Sequence, residues 1–170
     1  RSTCVLFGDG AGAVVLVTNR FAAEDQPDAV WIRNVERLLE RLPSDLALGW
    51  YECPYPYKRL FSPETLRWCI DSGRFVFLKD TCCDLATIAA RQALMAGTEF
   101  KLYNANAPTL LGSLQLGVAG YSSVMANFHP QLYAWLCANW QADPDAAARL
   151  QAFLGVTSTP PAYPVSAKYC

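Results

Sequence analysis

A short apolar run followed by an amphipathic stretch recurs five times along this chain. The runs fall at residues 13–17, 46–51, 75–79, 100–103 and 120–125, lengths that suit strands rather than helices. After the first run, Val30, Ile32, Val35, Leu38, Leu39 and Leu42 recur near helical spacing, with Arg and Glu between them, until Pro43 ends the pattern. Ser62 reads as an N-cap with Pro63 at the first helical position, and the helix over 65–70 ends at Gly73. Asp84 caps a helix over Leu85–Met95 that Gly97 closes. Further helices are predicted over 109–116, 130–140 and 146–154. Regular β–α alternation implies an α/β fold with parallel strands joined by crossovers. Two architectures share that pattern: a doubly wound open sheet, and part of a (β/α)8 barrel. A complete barrel takes roughly 250 residues, and this chain has 170.

Composition narrows the partners. A net charge of −1 offers no electrostatic footing for nucleic acid or an anionic membrane. Hydrophobic residues make up 52% of the chain and charged residues 17%, which suits strands buried on both faces. No apolar stretch reaches the ~18 residues of a membrane-spanning helix. The seven cysteines are an odd count without C-x-x-C spacing, and His129 is the only histidine. Neither a disulfide framework nor a zinc site is therefore expected, and the thiols read as the reduced thiols of a cytoplasmic protein. No cofactor or metal is expected. The chain begins at Arg1 rather than Met, which leads us to expect an upstream piece.

Two strand ends carry chemistry. Lys79 closes the apolar run Phe75-Val76-Phe77-Leu78, and Tyr51 closes Leu48-Gly49-Trp50. At the C-terminal end of a parallel strand a side chain faces the loops that build active sites. A lysine desolvated there loses part of its preference for the ammonium form, and its free amine can attack a carbonyl to form an imine. Alternatively Lys79 leaves the sheet and pairs with Asp80 or Asp84 in solvent. A phenol at Tyr51 can relay a proton or bind a carboxylate, or can simply pack its ring and wet its hydroxyl. Cys82-Cys83 and His129 read as loop residues. Gly8-Asp9-Gly10-Ala11-Gly12 lacks the lysine of a phosphate loop and precedes a strand, so it reads as a strand turn.

Three segments resemble the dihydrodipicolinate synthase / N-acetylneuraminate lyase family. Leu48-Gly49-Trp50-Tyr51-Glu52-Cys53-Pro54 is similar to its Tyr-x-x-Pro strand end. Phe77-Leu78-Lys79-Asp80-Thr81 is similar to its lysine-bearing strand end. Gly120-Tyr121-Ser122-Ser123-Val124-Met125-Ala126-Asn127 is similar to its Gly-x-x-Ser-Val-x-Ala-Asn stretch. The gap from Tyr51 to Lys79 also matches, with Pro63-Glu64-Thr65 in register between them. The resemblance implies a partial (β/α)8 TIM barrel over residues 13–170, comprising strands four to eight plus one extra helix. It implies Lys79 as the Schiff-base lysine, Tyr51 as the proton-relay tyrosine, Ser122 among the substrate-binding residues, and a 2-oxo acid such as pyruvate as the imine partner.

The departures from that family are specific. Its first three strands, with a Gly-rich carboxylate-binding motif and a threonine pair, have no counterpart here. Pro56 stands where the synthases proper carry a substrate-binding arginine. Arg59 is the nearest candidate to replace it, in a different register. Tyr103-Asn104-Ala105-Asn106 stands where a Gly-Asp stretch is expected. Residues 1–16 instead resemble the Phe-Gly-Asp-Gly-Ala-Gly-Ala strand–turn of β-ketoacyl-ACP synthase III, as a fusion, recombination or assembly artefact would leave them. Three expectations follow: a class I lyase or aldolase that is incomplete as a fragment and by itself traps substrate weakly or not at all; a non-catalytic truncated barrel that needs a partner chain; or a condensing-enzyme fragment. Open strand edges at 13–17 and 120–125 predict self-association as a homo-oligomer.

Overall fold

The computed structural model describes residues 13–158. Residues 1–12, which carry most of the synthase III resemblance, lie outside the described residues, as does Lys168. Five strands form one sheet: β1 (Val14–Val17), β2 (Leu48–Tyr51), β3 (Phe75–Asp80), β4 (Lys101–Asn104) and β5 (Gly120–Tyr121). Neighbours pair in parallel, in the order β1-β2-β3-β4-β5. A doubly wound sheet reverses its strand order at a switch point; this sheet does not, so the chain is singly wound as a barrel is. The helices are α1 (Asp28–Leu39), α2 (Pro63–Asp71), α3 (Leu85–Met95), α4 (Leu110–Gln115), α5 (Pro130–Asn139) and α6 (Pro144–Val156).

Local chemistry accounts for the boundaries. Ser62 Oγ accepts from Thr65 N at 3.1 Å, and Asp84 Oδ2 accepts from Thr87 N at 2.8 Å, so both anticipated caps are formed. Asp143 caps α6 in the same way through Ala146 N, starting that helix two residues earlier than the apolar spacing predicts. Gly73 and Gly97 follow α2 and α3 with φ of 63° and 76°, backbone that favours glycine.

The strand predicted over 120–125 is a correction. Only Gly120–Tyr121 pairs with β4. The Ser123 side chain then accepts from Met125 N and opens a 3-10 turn at Val124–Asn127, which carries Met125 into the core. A second 3-10 turn, at Thr18–Arg20, follows β1 and was not anticipated. Its Asn19 donates through Nδ2 to the carbonyls of Cys53, Tyr55 and Tyr57, tying the loop after β2 to the end of β1.

Two apolar cores stabilise these layers. The first lies between the sheet and α1–α3 and is aromatic: Trp31 and Trp50 are 4.7 Å apart between ring centroids, with Phe61 edge-on to both. Trp50 and Leu78 are fully buried there. Because side chains alternate across a strand, their neighbours Tyr51 and Lys79 face the other side of the sheet. The second core gathers Leu110, Leu114, Met125, Tyr133, Leu136 and Leu154 from α4, α5, α6 and the 3-10 turn at Val124–Asn127.

Candidate active site

Parallel register places the candidate residues in one row. Val17 pairs with Tyr51, Tyr51 with Lys79, and Lys79 with Tyr103. A cavity of about 490 Å³ opens on that face. Val15, Tyr51, Phe77, Lys79, Tyr103, Tyr121 and Ser122 line it. Gly49 leaves room for the Phe77 ring, because a Cβ there would lie 2.2 Å from two of its carbons. Phe77 in turn meets Tyr103 edge-on at 5.9 Å.

The Lys79 amine sits 4.2 Å from the centroid of the Tyr51 ring. It does not pair with Asp80 or Asp84: Asp80 points to the opposite face, and Asp84 caps α3. Burial lowers the Lys79 pKa from its ordinary value, opposed by the nearby Cys53 thiol. Burial likewise pushes the Tyr51 phenol up to about 12, with Cys53 adding to the rise. The pair thus consists of an amine biased toward its free form and a phenol that keeps its proton. Cys82 is no candidate nucleophile, since burial first and the neighbouring Asp80 second push its thiol up to about 12.

The structure brings Lys79, Tyr51 and Ser122 together and leaves Arg59 out. The Arg59 guanidinium is committed to Asp28 at 2.7 Å and to the carbonyls of Ala23 and Gln26. Burial opposes ionisation of Asp28, but hydrogen bonds from Ser62, Thr65 and Arg59 hold its pKa below the ordinary value. This assembly locks the start of α1 to the start of α2, so Arg59 is engaged in helix packing rather than in the cavity.

Sequence reasoning missed two features. Tyr103 and Tyr121 line the cavity, although Tyr103 stands one strand over from Lys79 in the same register and was recoverable from the strand-end rule. A buried ionic group behind the pair was missed altogether. Glu52 follows Tyr51, Asp80 follows Lys79, and Arg91 of α3 reaches both. Burial lifts the Glu52 carboxyl above its ordinary value against the pull of Arg91. Burial also opposes the Arg91 charge, but Glu52 and Asp80 together hold its pKa above ordinary. The available signal was Arg91 itself, which sits at the core spacing of Ile88 and Met95. Among the described residues no cluster of His, Cys, Asp and Glu is arranged to hold a metal ion, and no helix is long and apolar enough to cross a membrane.

A singly wound parallel sheet with a desolvated lysine at a strand end is the arrangement of a partial (β/α)8 barrel with its site at the C-terminal strand ends. The family model of the dihydrodipicolinate synthetase family matches residues 44–155, and the chain belongs to that family. It is similar to the 4-hydroxy-tetrahydrodipicolinate synthase of Staphylococcus epidermidis, with 28% identity over 136 residues, covering 80% of this chain and 45% of that protein. Its fold matches a dihydrodipicolinate synthase from Bacteroides thetaiotaomicron with a TM-score of 0.74 and 26% identity, covering 88% of this chain and 49% of that one. It also matches a prophage protein of the dihydrodipicolinic acid synthase family from E. coli K12, solved in complex with pyruvate, with a TM-score of 0.71 and 23% identity, covering 82% and 47%. The chain thus spans about half the length of the relatives it matches.

Proposed function

We propose that this chain carries the nucleophile-bearing part of a class I, Schiff-base lyase or aldolase acting on a 2-oxo acid such as pyruvate. The observation that carries this reading is the Lys79 amine held over the Tyr51 ring in the lining of a cavity, with its pKa lowered by burial. The free amine of Lys79 attacks the keto carbon, and loss of water leaves an imine. The imine accepts the electron pair released or required at the neighbouring carbon. Tyr51, protonated across the neutral range, donates to and accepts from the reacting oxygen. Ser122 lines the same cavity and is assigned to substrate contact.

Trapping tests the assignment. An intact barrel carrying these residues, treated with pyruvate and borohydride, should carry its reduced adduct on Lys79 in preference to Lys58, Lys101 and Lys168, while the 170-residue chain by itself should trap weakly or not at all. Lys58 and Lys101 are exposed, and Lys58 already donates to the Thr81 carbonyl. In that barrel, an adduct spread evenly over the four lysines, or none even at high pyruvate, refutes the Schiff-base reading.

The same reading has copies of the chain associate in the cytoplasm. Among the described residues β1 pairs only with β2, and β5 only with β4, so both sheet edges are open. Open edges recruit other strands. Sedimentation at micromolar concentration should show species larger than a monomer, and a compact monomer would count against association.

A further inference from the structure

Directly behind the amine and the phenol lies a buried ionic bracket that the proposed reaction does not use. Pleat alternation sends Tyr51 and Lys79 to the cavity face, and sends Glu52 and Asp80, which follow them, to the opposite face. There Arg91 donates through Nη2 to Glu52 Oε1 at 2.7 Å, and through Nη1 to Glu52 Oε2 at 3.0 Å and to Asp80. Glu52 and Asp80 have no solvent exposure, and Arg91 has 4%. Backbone amides complete the arrangement. Phe61 N and Thr81 N donate to the Glu52 carboxylate at 2.8 and 3.2 Å, and Cys82 N donates to Asp80 at 2.7 Å. The Thr81 hydroxyl donates to the Glu52 carbonyl at 2.7 Å. Both chain exits from the two strand ends are therefore tied to one guanidinium.

Stability alone is a weak account of such a group. Burying two carboxylates and a guanidinium costs desolvation that the pairing only partly offsets, and apolar residues of similar volume often serve as well or better. A planar fork bonded to both strands supplies direction, which apolar packing supplies poorly. Direction matters here because a displacement of about 1 Å in a reacting group can cost on the order of a hundredfold in rate.

We propose that Arg91 is a positioning residue: through Glu52 and Asp80 it sets the relative orientation of Tyr51 and Lys79 across the sheet, and so the approach of amine and phenol to one substrate carbon. The proposal rests on the Schiff-base reading of Lys79, and deepens it. Arg91→Lys keeps a positive charge but lacks the fork. It should be compared in the full chain with Leu154→Ala, a large-to-small change in the second core. Two quantities are read for each: the rate of pyruvate and borohydride trapping at Lys79, and the pH midpoint of Lys79 acetylation relative to Lys58.

Arg91→Lys should slow trapping at Lys79 by about tenfold or more, and move the Lys79 midpoint up toward the ordinary lysine value of about 10.4. Leu154→Ala should lower the melting temperature while leaving both readouts unchanged. If Arg91→Lys only melts earlier, with trapping and midpoint as in the parent, its role is structural and the proposal is overturned. If the parent itself forms no adduct on Lys79, trapping is read in an intact barrel carrying these residues, where a missing adduct refutes the Schiff-base reading separately. The acetylation midpoint then still decides whether Arg91 sets the environment of the amine. Should Arg91→Lys not fold, Asp80→Asn preserves the side-chain shape and the Glu52–Arg91 pair, and carries the same comparison.

Discussion

Replacing Lys79 with Ala is expected to remove imine formation outright, and to lower any turnover by on the order of a thousandfold or more, as loss of a covalent nucleophile does. Lys79→Arg should fare no better. A guanidinium has the length and the charge, but it does not give up its proton and cannot become the attacking amine. The pair of variants therefore separates covalent chemistry from simple electrostatic attraction of an anionic substrate, which Arg would retain. Tyr51→Phe should behave differently. The ring under the amine remains, so borohydride trapping should persist, while turnover falls by about 10²–10⁴-fold for want of the proton relay. The pH dependence has a fixed sign. Burial lowers the Lys79 pKa, so its free-amine fraction rises at a lower pH than an ordinary lysine's, and trapping at neutral pH should favour Lys79. Mass spectrometry of the adduct across a pH series checks both the position and the sign.

How much of this was legible depended on the range of each interaction. The five strands and six helices announced themselves through local signals: the period of Val35, Leu38 and Leu39, the Ser62 and Asp84 caps, and the glycines after α2 and α3. The positions of Tyr51 and Lys79 followed because strand ends are local too, and parallel pairing then puts them side by side. Strand order was not legible, since singly and doubly wound sheets share one β–α alternation and differ only in how the units pack. The end of β5 was misread because the hydroxyl of Ser123 competes with the ladder for the backbone, and Val124 looked like a strand residue. Arg59 could not be placed from sequence. Its partner Asp28 lies 31 residues away, and a long flexible side chain leaves no periodic trace. The bracket at Glu52 was hidden for the same reason, its arginine lying 39 residues further on.

That bracket is also where the largest loss of stability is expected. Arg91→Met keeps the length and apolar stem of the side chain but removes the guanidinium, leaving Glu52 and Asp80 buried side by side without a cation. Breaking a buried ion pair from one side costs about 3–5 kcal/mol, which for a chain of this size lowers the melting temperature by about 10 °C or more. The deficit should depend on pH in one direction. Burial already raises the Glu52 carboxyl against the pull of Arg91; without Arg91 that pull is lost, so the folded-state value climbs further above the unfolded value of about 4.3. The folded variant then binds more protons than the unfolded chain. Its stability is greatest below the unfolded Glu52 value and falls as pH rises through the raised one. Urea denaturation of parent and Arg91→Met at pH 5 and pH 8 should therefore show the larger gap at pH 8. An equal gap at both would mean that the carboxylates find other partners. Replacing all three residues with apolar ones of similar volume should recover most of the loss, because no buried charge remains. The triple variant thereby separates the two roles of the bracket. If it melts like the parent while Lys79 loses its selectivity for pyruvate, the charges are retained for the geometry they impose on Tyr51 and Lys79 rather than for the stability they confer.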